Sequence, residues 1–267
     1  MTLEARNITV RINGSTLLDN VSNIVHPGEV LAILGANGAG KTTLVKTLAG
    51  DIKPDSGQIL MGDRPLDQWP RRAQAQVRAI LPQSSTLNFP FTVLEVVLMG
   101  RTPHLRGIEQ AEDYQIARDA LELTETLELQ NRAYTTLSGG ERQRVQLSRV
   151  LAQIWTSPEK SNRYLLMDEP LNNLDLAHQH DTLRIAHSFA EQGVVVVIVL
   201  HDLNLAAQYA DRVIILKRGK LLAMGAPCDV LTSETIRAAF DIEVGVIDHP
   251  YMDCPLIVPV PITVAER

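Results

Sequence analysis

The sequence predicts an α/β protein built on a mostly parallel sheet with helices on both faces. Short apolar runs suited to buried strands are separated by segments with helical spacing; the runs are EVLAIL, RYLLM, VVVVIVL and RVIIL. Strands that alternate with helices are joined by crossovers, and such sheets are parallel and covered on both faces. A chain of 267 residues with a 45% hydrophobic content can bury one large core with a subdomain inserted into it.

An antiparallel β part opens the predicted fold. Apolar and polar residues alternate over residues 3–25, which is the pattern of strands buried on one face. The run EVLAIL at 29–34 is nearly all apolar and predicts a buried strand. After a glycine-rich loop, TTLVKTLAG predicts a helix that ends at Gly50.

The middle of the chain changes to helical spacing, and strand-like runs return only after it. Further helices are expected at 175–190 and 203–209. We therefore expect a single domain, residues 1–267, with a helical subdomain inserted. Its predicted parts are an antiparallel β part at 1–28, a core at 29–92 and 155–240, a helical subdomain at 93–154 and a C-terminal strand segment at 241–267.

Composition argues against several classes of function. The net charge is −6, and no cluster of basic residues stands out beyond Arg71 and Arg72, so we expect no nucleic-acid partner. Cys228 and Cys254 are far apart and lack metal-ligand spacing, which favours a reducing compartment. The longest apolar run, at 194–200, is too short to cross a bilayer, and the first residues lack the pattern of a signal peptide. We expect a cytoplasmic protein.

The glycine-rich loop has the sequence of a phosphate-binding motif. GANGAGKT at 35–42 satisfies G-x-x-x-x-G-K-[ST] between a predicted strand and a predicted helix, so that backbone N–H groups face phosphates. Lys41 is expected to reach the β- and γ-phosphates and Thr42 to bind Mg²⁺. The alternative is a turn that merely starts a helix. The predicted ligand is a nucleoside triphosphate, held by Gly35, Asn37, Gly38, Gly40, Lys41, Thr42 and Thr43.

Two further polar sites follow apolar strands. In LLMDEP, Asp168 at the strand end is placed to hold Mg²⁺, and Glu169 is placed to polarise a water as general base. A carboxylate that only caps the next helix is the alternative. His201 follows VVVVIVL, where it can contact a γ-phosphate, although a lone histidine is more often structural.

Six motifs occur in the order and approximate spacing typical of the ATP-binding-cassette ATPase family; they are GANGAGKT, LPQ at 81–83, LSGGERQ at 137–143, LLMDEP at 165–170, NNLD at 172–175 and VLHD at 199–202. On these motifs the chain resembles that family over nearly its whole length, which implies a P-loop NTPase core that binds ATP. The resemblance also implies that Gln83 contacts Mg²⁺ or the attacking water, that Asp175 crosses a dimer interface and that His201 is a switch histidine.

The resemblance also explains why the chain holds a second glycine-rich motif. In this family the GANGAGKT of one copy and the LSGG of a second, antiparallel copy clamp one ATP, which implies a homodimer. Ser138 and the backbone N–H groups of Gly139 and Gly140 stand at the start of a predicted helix, where they can donate hydrogen bonds to a γ-phosphate. Close approach of a backbone to the ligand requires glycine.

The stretch SSTLNFPFTVLEVVLMGRTPHL at 84–105 resembles the groove that grips a cytoplasmic helix of a membrane permease, although its apolar residues are equally explained as core. With LDLAHQ at 174–179, it is most similar to ATPases of iron-chelate, heme and vitamin B12 importers, and within that group to the hemin importers. The resemblance implies a peripheral ATPase subunit at the cytoplasmic face of the inner membrane of a bacterium. Its implied partners are a permease and, indirectly, an exported heme-binding protein.

Other functions stay open. The chain can serve a siderophore or vitamin B12 importer, or be a soluble cassette ATPase, although it has no coiled-coil insertion or basic arm. A P-loop kinase has no use for LSGGERQ. The sequence departs from the family at two places: Ile12 or Arg11 stands where an aromatic residue usually stacks on adenine, and LNNLD replaces the commoner TSALD.

Overall fold

In the computed structural model, residues 2–84, 87–156 and 163–260 are described. The parts of the predicted segments at residue 1, 85–86, 157–162 and 261–267 lie outside the described residues. The strands are β1 (Leu3–Ile12), β2 (Ser15–Val25), β3 (Val30–Leu34), β4 (Ser56–Met61), β5 (Arg64–Pro65), β6 (Arg78–Leu81), β7 (Tyr164–Asp168), β8 (Val195–Val199), β9 (Arg212–Lys217), β10 (Lys220–Gly225), β11 (Val244–Asp248) and β12 (Pro255–Pro259).

The helices are α1 (Lys41–Leu48), α2 (Arg71–Val77), α3 (Val93–Leu98), α4 (Ala111–Leu123), α5 (Gly139–Gln153), α6 (Leu176–Glu191), α7 (Leu203–Tyr209), α8 (Pro227–Val230) and α9 (Ser233–Phe240). Short 3-10 turns occur at Leu66–Gln68, Met99–Arg101, Leu127–Leu129 and Tyr134–Thr136. None of the described helices combines the length and the apolar character that crossing a bilayer requires.

The main sheet has the strand order β10-β9-β3-β8-β7-β6, and its neighbours are parallel except for β10 and β9. The apolar runs of the sequence form β3, β7, β8 and β9, as predicted. β8 shows why such runs are apolar throughout. Val195, Val197 and Val199 pack into the layer that contains α1, whereas Val196 and Ile198 pack into the layer that contains α6.

The antiparallel sheet has the order β2-β1-β4-β5 and is not confined to the predicted segment 1–28. β4 pairs with β1 over the register Leu3↔Met61 to Thr9↔Ser56, although the sequence assigned its residues to the core. An isolated two-stranded hairpin is at best marginally stable, so β4 supplies the neighbour that β1 needs on its second edge.

α5 belongs to two cores. Val145 on one face packs with α3 and α4 around Val97 and Leu121 in the helical region. Leu147 and Leu151 pack instead into the layer under the main sheet. Because α5 packs in both cores, the position of its first residue relative to the main sheet is fixed.

The C-terminal strands β11 and β12 form a two-stranded antiparallel sheet of their own. Asn204 in α7 fastens this hairpin. Its side-chain Nδ2 donates to the Ile257 carbonyl at 3.1 Å, and its Oδ1 accepts from the Ile257 N–H at 2.7 Å. The hairpin is thus tied to the helix that begins two residues after His201.

Candidate functional site

The carboxyl ends of neighbouring parallel strands bring the predicted catalytic residues to one edge of the main sheet, where Gln83 lies two residues beyond β6. β3 leads into the loop at 35–40, β7 ends at Asp168, and β8 ends two residues before His201. Asp168 is paired with Val199 in the register of β7 and β8. Ligands of open α/β sheets bind at this edge. The fold therefore brings motifs that are far apart in sequence into one site.

The loop at 35–42 requires its glycines. Gly35 has a φ of +148°, and a Cβ there would lie 2.4 Å from the Leu216 carbonyl oxygen. Gly40 has a φ of +105°, and its Cβ would lie 2.8 Å from the Leu17 carbonyl oxygen. Both positions therefore exclude other residues, on grounds of backbone conformation and of space.

Lys41 lies folded over this loop. Its Nζ donates to the carbonyl oxygens of Gly35 at 2.8 Å and Ala36 at 3.2 Å. Burial lowers the pKa of Lys41, against the raising effect of the nearby Glu169 and Asp168 carboxylates. The site thus holds a buried cationic group beside two acidic ones.

Thr42 and Asp168 form a pair of oxygen ligands. The Thr42 hydroxyl donates to Asp168 Oδ1 at 3.2 Å, and only 3% of Asp168 is exposed. Burial raises the pKa of Asp168, against the lowering effect of the Thr42 hydrogen bond. A cation beside this carboxylate would offset the cost of burying it, and carboxylate and hydroxyl oxygens are the donors that Mg²⁺ takes. The described residues contain no group of three or more His, Cys, Asp or Glu that could hold a metal ion.

Three side chains contact the carboxylate of Glu169. Its Oε1 lies 2.8 Å from His201 Nε2, and its Oε2 accepts from Gln83 Nε2 at 2.8 Å and from Asn172 Nδ2 at 3.0 Å. Burial acts to raise the pKa of Glu169, but the hydrogen bonds from Asn172, His201 and Gln83 outweigh it, and the pKa lies below its usual range. A carboxylate held in its ionised form can accept a proton from water.

The second glycine motif forms a separate site. Ser138 caps α5 in a capping box: its Oγ accepts from the Glu141 N–H at 3.3 Å, and Glu141 Oε2 accepts from the Ser138 N–H at 2.7 Å. Ser138, Gly139 and Gly140 line a cleft of ≈ 530 Å³ together with Arg144, Asn173 and Asp175. Among the described residues that line this cleft, none belongs to the loop at 35–42.

Asp175 caps α6 at the rim of the same cleft. Its Oδ1 accepts from the His178 N–H at 3.0 Å and lies 2.8 Å from His178 Nδ1. Within one chain, the structure therefore brings Gln83, Lys41, Thr42, Asp168, Glu169 and His201 together, and leaves Ser138, Gly139, Gly140 and Asp175 at another surface. The contacts of Asn172 and His178 were not predicted from the sequence.

Comparison with known proteins agrees with this geometry. The family model for ABC transporters matches residues 18–172, which is more than half of the chain. The hemin import ATP-binding protein HmuV of Gloeobacter violaceus is 57% identical over 257 residues, covering 96% of this chain and 94% of that protein. The HmuV of Pseudomonas aeruginosa is 48% identical, covering 96% of this chain and 99% of that protein.

Solved structures give the same result. A metal-chelate type ABC transporter in an inward-facing conformation matches with a TM-score of 0.82 and 28% identity, covering 97% of each chain. A dimeric structure of a bacterial ABC transporter cassette matches with a TM-score of 0.73 and 25% identity, covering 84% of this chain and 98% of that one. The predicted fold class and the predicted family resemblance are both confirmed.

Proposed function

The chain belongs to the ABC transporter family as an ATP-binding ATPase subunit, and on this premise we propose that it energises the import of heme through a partner permease. The observation that carries the proposal is the high identity, over nearly the whole chain, to relatives named hemin import ATP-binding proteins. As an importer ATPase it works with membrane permease subunits, and it associates peripherally with the cytoplasmic face of the bacterial inner membrane.

The loop at 35–42 would hold the ATP phosphates, and Thr42, Asp168 and Gln83 would hold Mg²⁺. The buried Thr42–Asp168 oxygen pair supports this assignment. When bound, Mg²⁺ neutralises charge on the β- and γ-phosphate oxygens. Lys41 leaves the loop carbonyls to contact the same phosphates, since a buried ammonium group binds an anion more strongly than it binds neutral carbonyls.

Glu169 acts as the general base for ATP hydrolysis. Its carboxylate accepts a proton from the water that attacks the γ-phosphate. His201 contacts the γ-phosphate and acts as the switch histidine. Gln83 orients the attacking water. The convergence of Gln83 and His201 on the Glu169 carboxylate supports these roles.

Two copies of the chain form an antiparallel homodimer with two shared ATP sites. In each site, Ser138, Gly139 and Gly140 of one copy donate to the γ-phosphate that the loop at 35–42 of the other copy holds, and Asp175 contacts the partner. The separation of the two surfaces within one chain supports this arrangement, as does the dimer among the similar cassette structures.

The permease contacts the region around Phe89 and Phe91. These rings lie 6.1 Å apart at the surface, and Phe89 is 69% exposed, so it is not a core residue. Val93 in the same stretch is fully buried and serves the core. Exposed aromatic rings of this kind suit a groove for a helix of another protein.

Import of another iron chelate is the second candidate, because the structural match at 97% coverage is to a transporter of metal-chelate type. The ATPase need not touch the cargo, so its own residues do not choose between the two. The test is reconstitution of the chain with its permease in lipid vesicles that hold a cargo-loaded binding protein. We expect heme-loaded protein to stimulate ATP hydrolysis. Stimulation by a siderophore or vitamin B12, with none by heme, would replace the proposed cargo.

A further inference from the structure

We propose that Asn172 is a positioning residue for ATP hydrolysis, because its carboxamide holds the Glu169 carboxylate in the direction in which it accepts the proton of the attacking water. The observation is the hydrogen bond from Asn172 Nδ2 to Glu169 Oε2 at 3.0 Å. The inference rests on the proposed role of Glu169 as general base. Nothing in the motif LNNLD assigns such a role to its first asparagine.

The contact is built into a tight turn. Glu169 has a φ of +53° and Asn173 a φ of +65°, both in the left-handed region that few non-glycine residues adopt. The Asn172 N–H lies 3.5 Å from the Glu169 carbonyl oxygen, so the backbone folds back over these residues. The side chain of Asn172 therefore lies next to that of Glu169, the first residue of the turn.

The other two partners of Glu169 come from separate elements. Gln83 lies two residues beyond the end of β6, and His201 lies two residues beyond the end of β8. Each reaches Glu169 only while its own loop keeps its position. Asn172 lies three residues from Glu169 in the same turn, so its hydrogen bond persists when Gln83 and His201 turn toward nucleotide.

The two carboxylate oxygens of Glu169 have different hydrogen-bond partners. His201 contacts Oε1, whereas Asn172 and Gln83 share Oε2. When Gln83 leaves, Asn172 is the side-chain partner recorded for Oε2 among the described residues. When His201 also turns away, Oε1 is the oxygen left free, and proton transfer depends on a base held within hydrogen-bond reach of the water.

Asparagine suits this position by its length and its chemistry. A serine, which stands at the equivalent place of the commoner TSALD, carries a donor that is one bond closer to the backbone. An aspartate has the shape of asparagine but no N–H group, and it would set a second carboxylate against the first. The neutral amide donates without adding charge to a site that already holds Lys41, Asp168 and Glu169.

The test uses single-turnover ATP hydrolysis by the full chain in complex with its permease. We expect Asn172→Ala to lower the hydrolysis rate about tenfold, because a hydrogen bond to a charged group is lost, while ATP affinity changes less than about twofold. We expect Asn172→Asp, although isosteric, to lower the rate further. Asn131→Ala, which removes a carboxamide from an exposed loop of the helical region, is the control and should retain the rate.

A double-mutant cycle separates positioning from general structure. In a Glu169→Gln background, we expect Asn172→Ala to cause no further loss, because the base on which it acts is gone. Equal losses in both backgrounds, or an Asn172→Asp variant as active as the parent, would overturn the inference while leaving Glu169 as base. If Glu169→Gln alone keeps near-normal turnover, the proposed base is wrong and the inference falls with it.

Discussion

The two glycine-rich surfaces of this chain, at 35–42 and at Ser138, are built in different ways. At the surface at 35–42, a buried lysine donates to loop carbonyls near two acidic side chains, and Gly35 has no room for a Cβ. The surface at Ser138 is an open cleft at the start of α5, where backbone N–H groups and one hydroxyl are the donors. The first can fix and activate a phosphate, whereas the second can only receive one. On the proposed function, a chain that carries both surfaces has complete ATP sites only when two copies pair.

Tandem fusions of two copies test this pairing, with the largest expected effect. If one copy carries Lys41→Ala and the other Ser138→Arg, both lesions fall on one shared site, and hydrolysis should continue at the other. If one copy carries both changes, each site is damaged, and we expect activity to fall by about 10³-fold.

Hydrolysis rates of the two fusions are compared, and nucleotide occupancy is the control for lost cooperativity. Activity confined to the fusion with one doubly altered copy would show that each site lies within one chain.

The catalytic contribution of the first surface is tested by Glu169→Gln. We expect hydrolysis to fall by about 10² to 10⁴, because the amide cannot accept the proton, while ATP binding is nearly unchanged and ATP-bound dimers persist. Turnover and equilibrium nucleotide binding are measured on the same preparation. Near-normal turnover would move the role of base to another residue, with His201 next in line.

Gly140→Ala tests whether the second surface needs close backbone approach. A Cβ at this position would lie 3.0 Å from the Asn173 carbonyl oxygen, so the segment that carries Asp175 must shift. We expect about a tenfold loss of hydrolysis, through poorer positioning of the phosphate, with nucleotide binding to the isolated chain unchanged. Gly245→Ala is the matched control, because its Cβ would meet nothing closer than 3.9 Å. A variant at 140 with full activity would mean that close backbone approach is not needed there.

The smallest expected effect concerns the base of the nucleotide. Ile12 ends β1 and is 42% exposed, and an aliphatic side chain has no π-face to stack on adenine. Since stacking on an aromatic ring is worth about 1–3 kcal/mol per base in other contexts, we expect only modest discrimination between ATP and GTP. Competition binding measures it. A preference for ATP above roughly a hundredfold would require another residue that reads adenine.

Local patterns in the sequence predicted much of this structure. The strand β8 and the loop at 35–42 follow from runs of neighbouring residues, and α7 begins and ends where predicted. The pairing of β4 with β1 was missed because it joins residues far apart in sequence, from Leu3 with Met61 to Thr9 with Ser56, which no local pattern reveals. The same holds for the exposure of Phe89, which depends on what lies over it rather than on its neighbours in sequence.

The site was predicted unevenly for the same reason. Lys41, Asp168 and Glu169 were found from motifs, and their roles stay predictions until they are tested. Asn172 was noted only as a departure from the family pattern. Its contact depends on the left-handed backbone of Glu169, which the sequence does not display. An asparagine three residues after a glutamate in a turn is the signal that could have drawn attention to it.

The two hydrogen bonds between Asn204 and Ile257 also set a limit for protein engineering. A purification tag or a linker between fused copies should be attached beyond β12, because that strand is hydrogen-bonded to α7, which begins two residues after His201. Removing the hairpin would leave both polar groups of the Asn204 side chain without these partners.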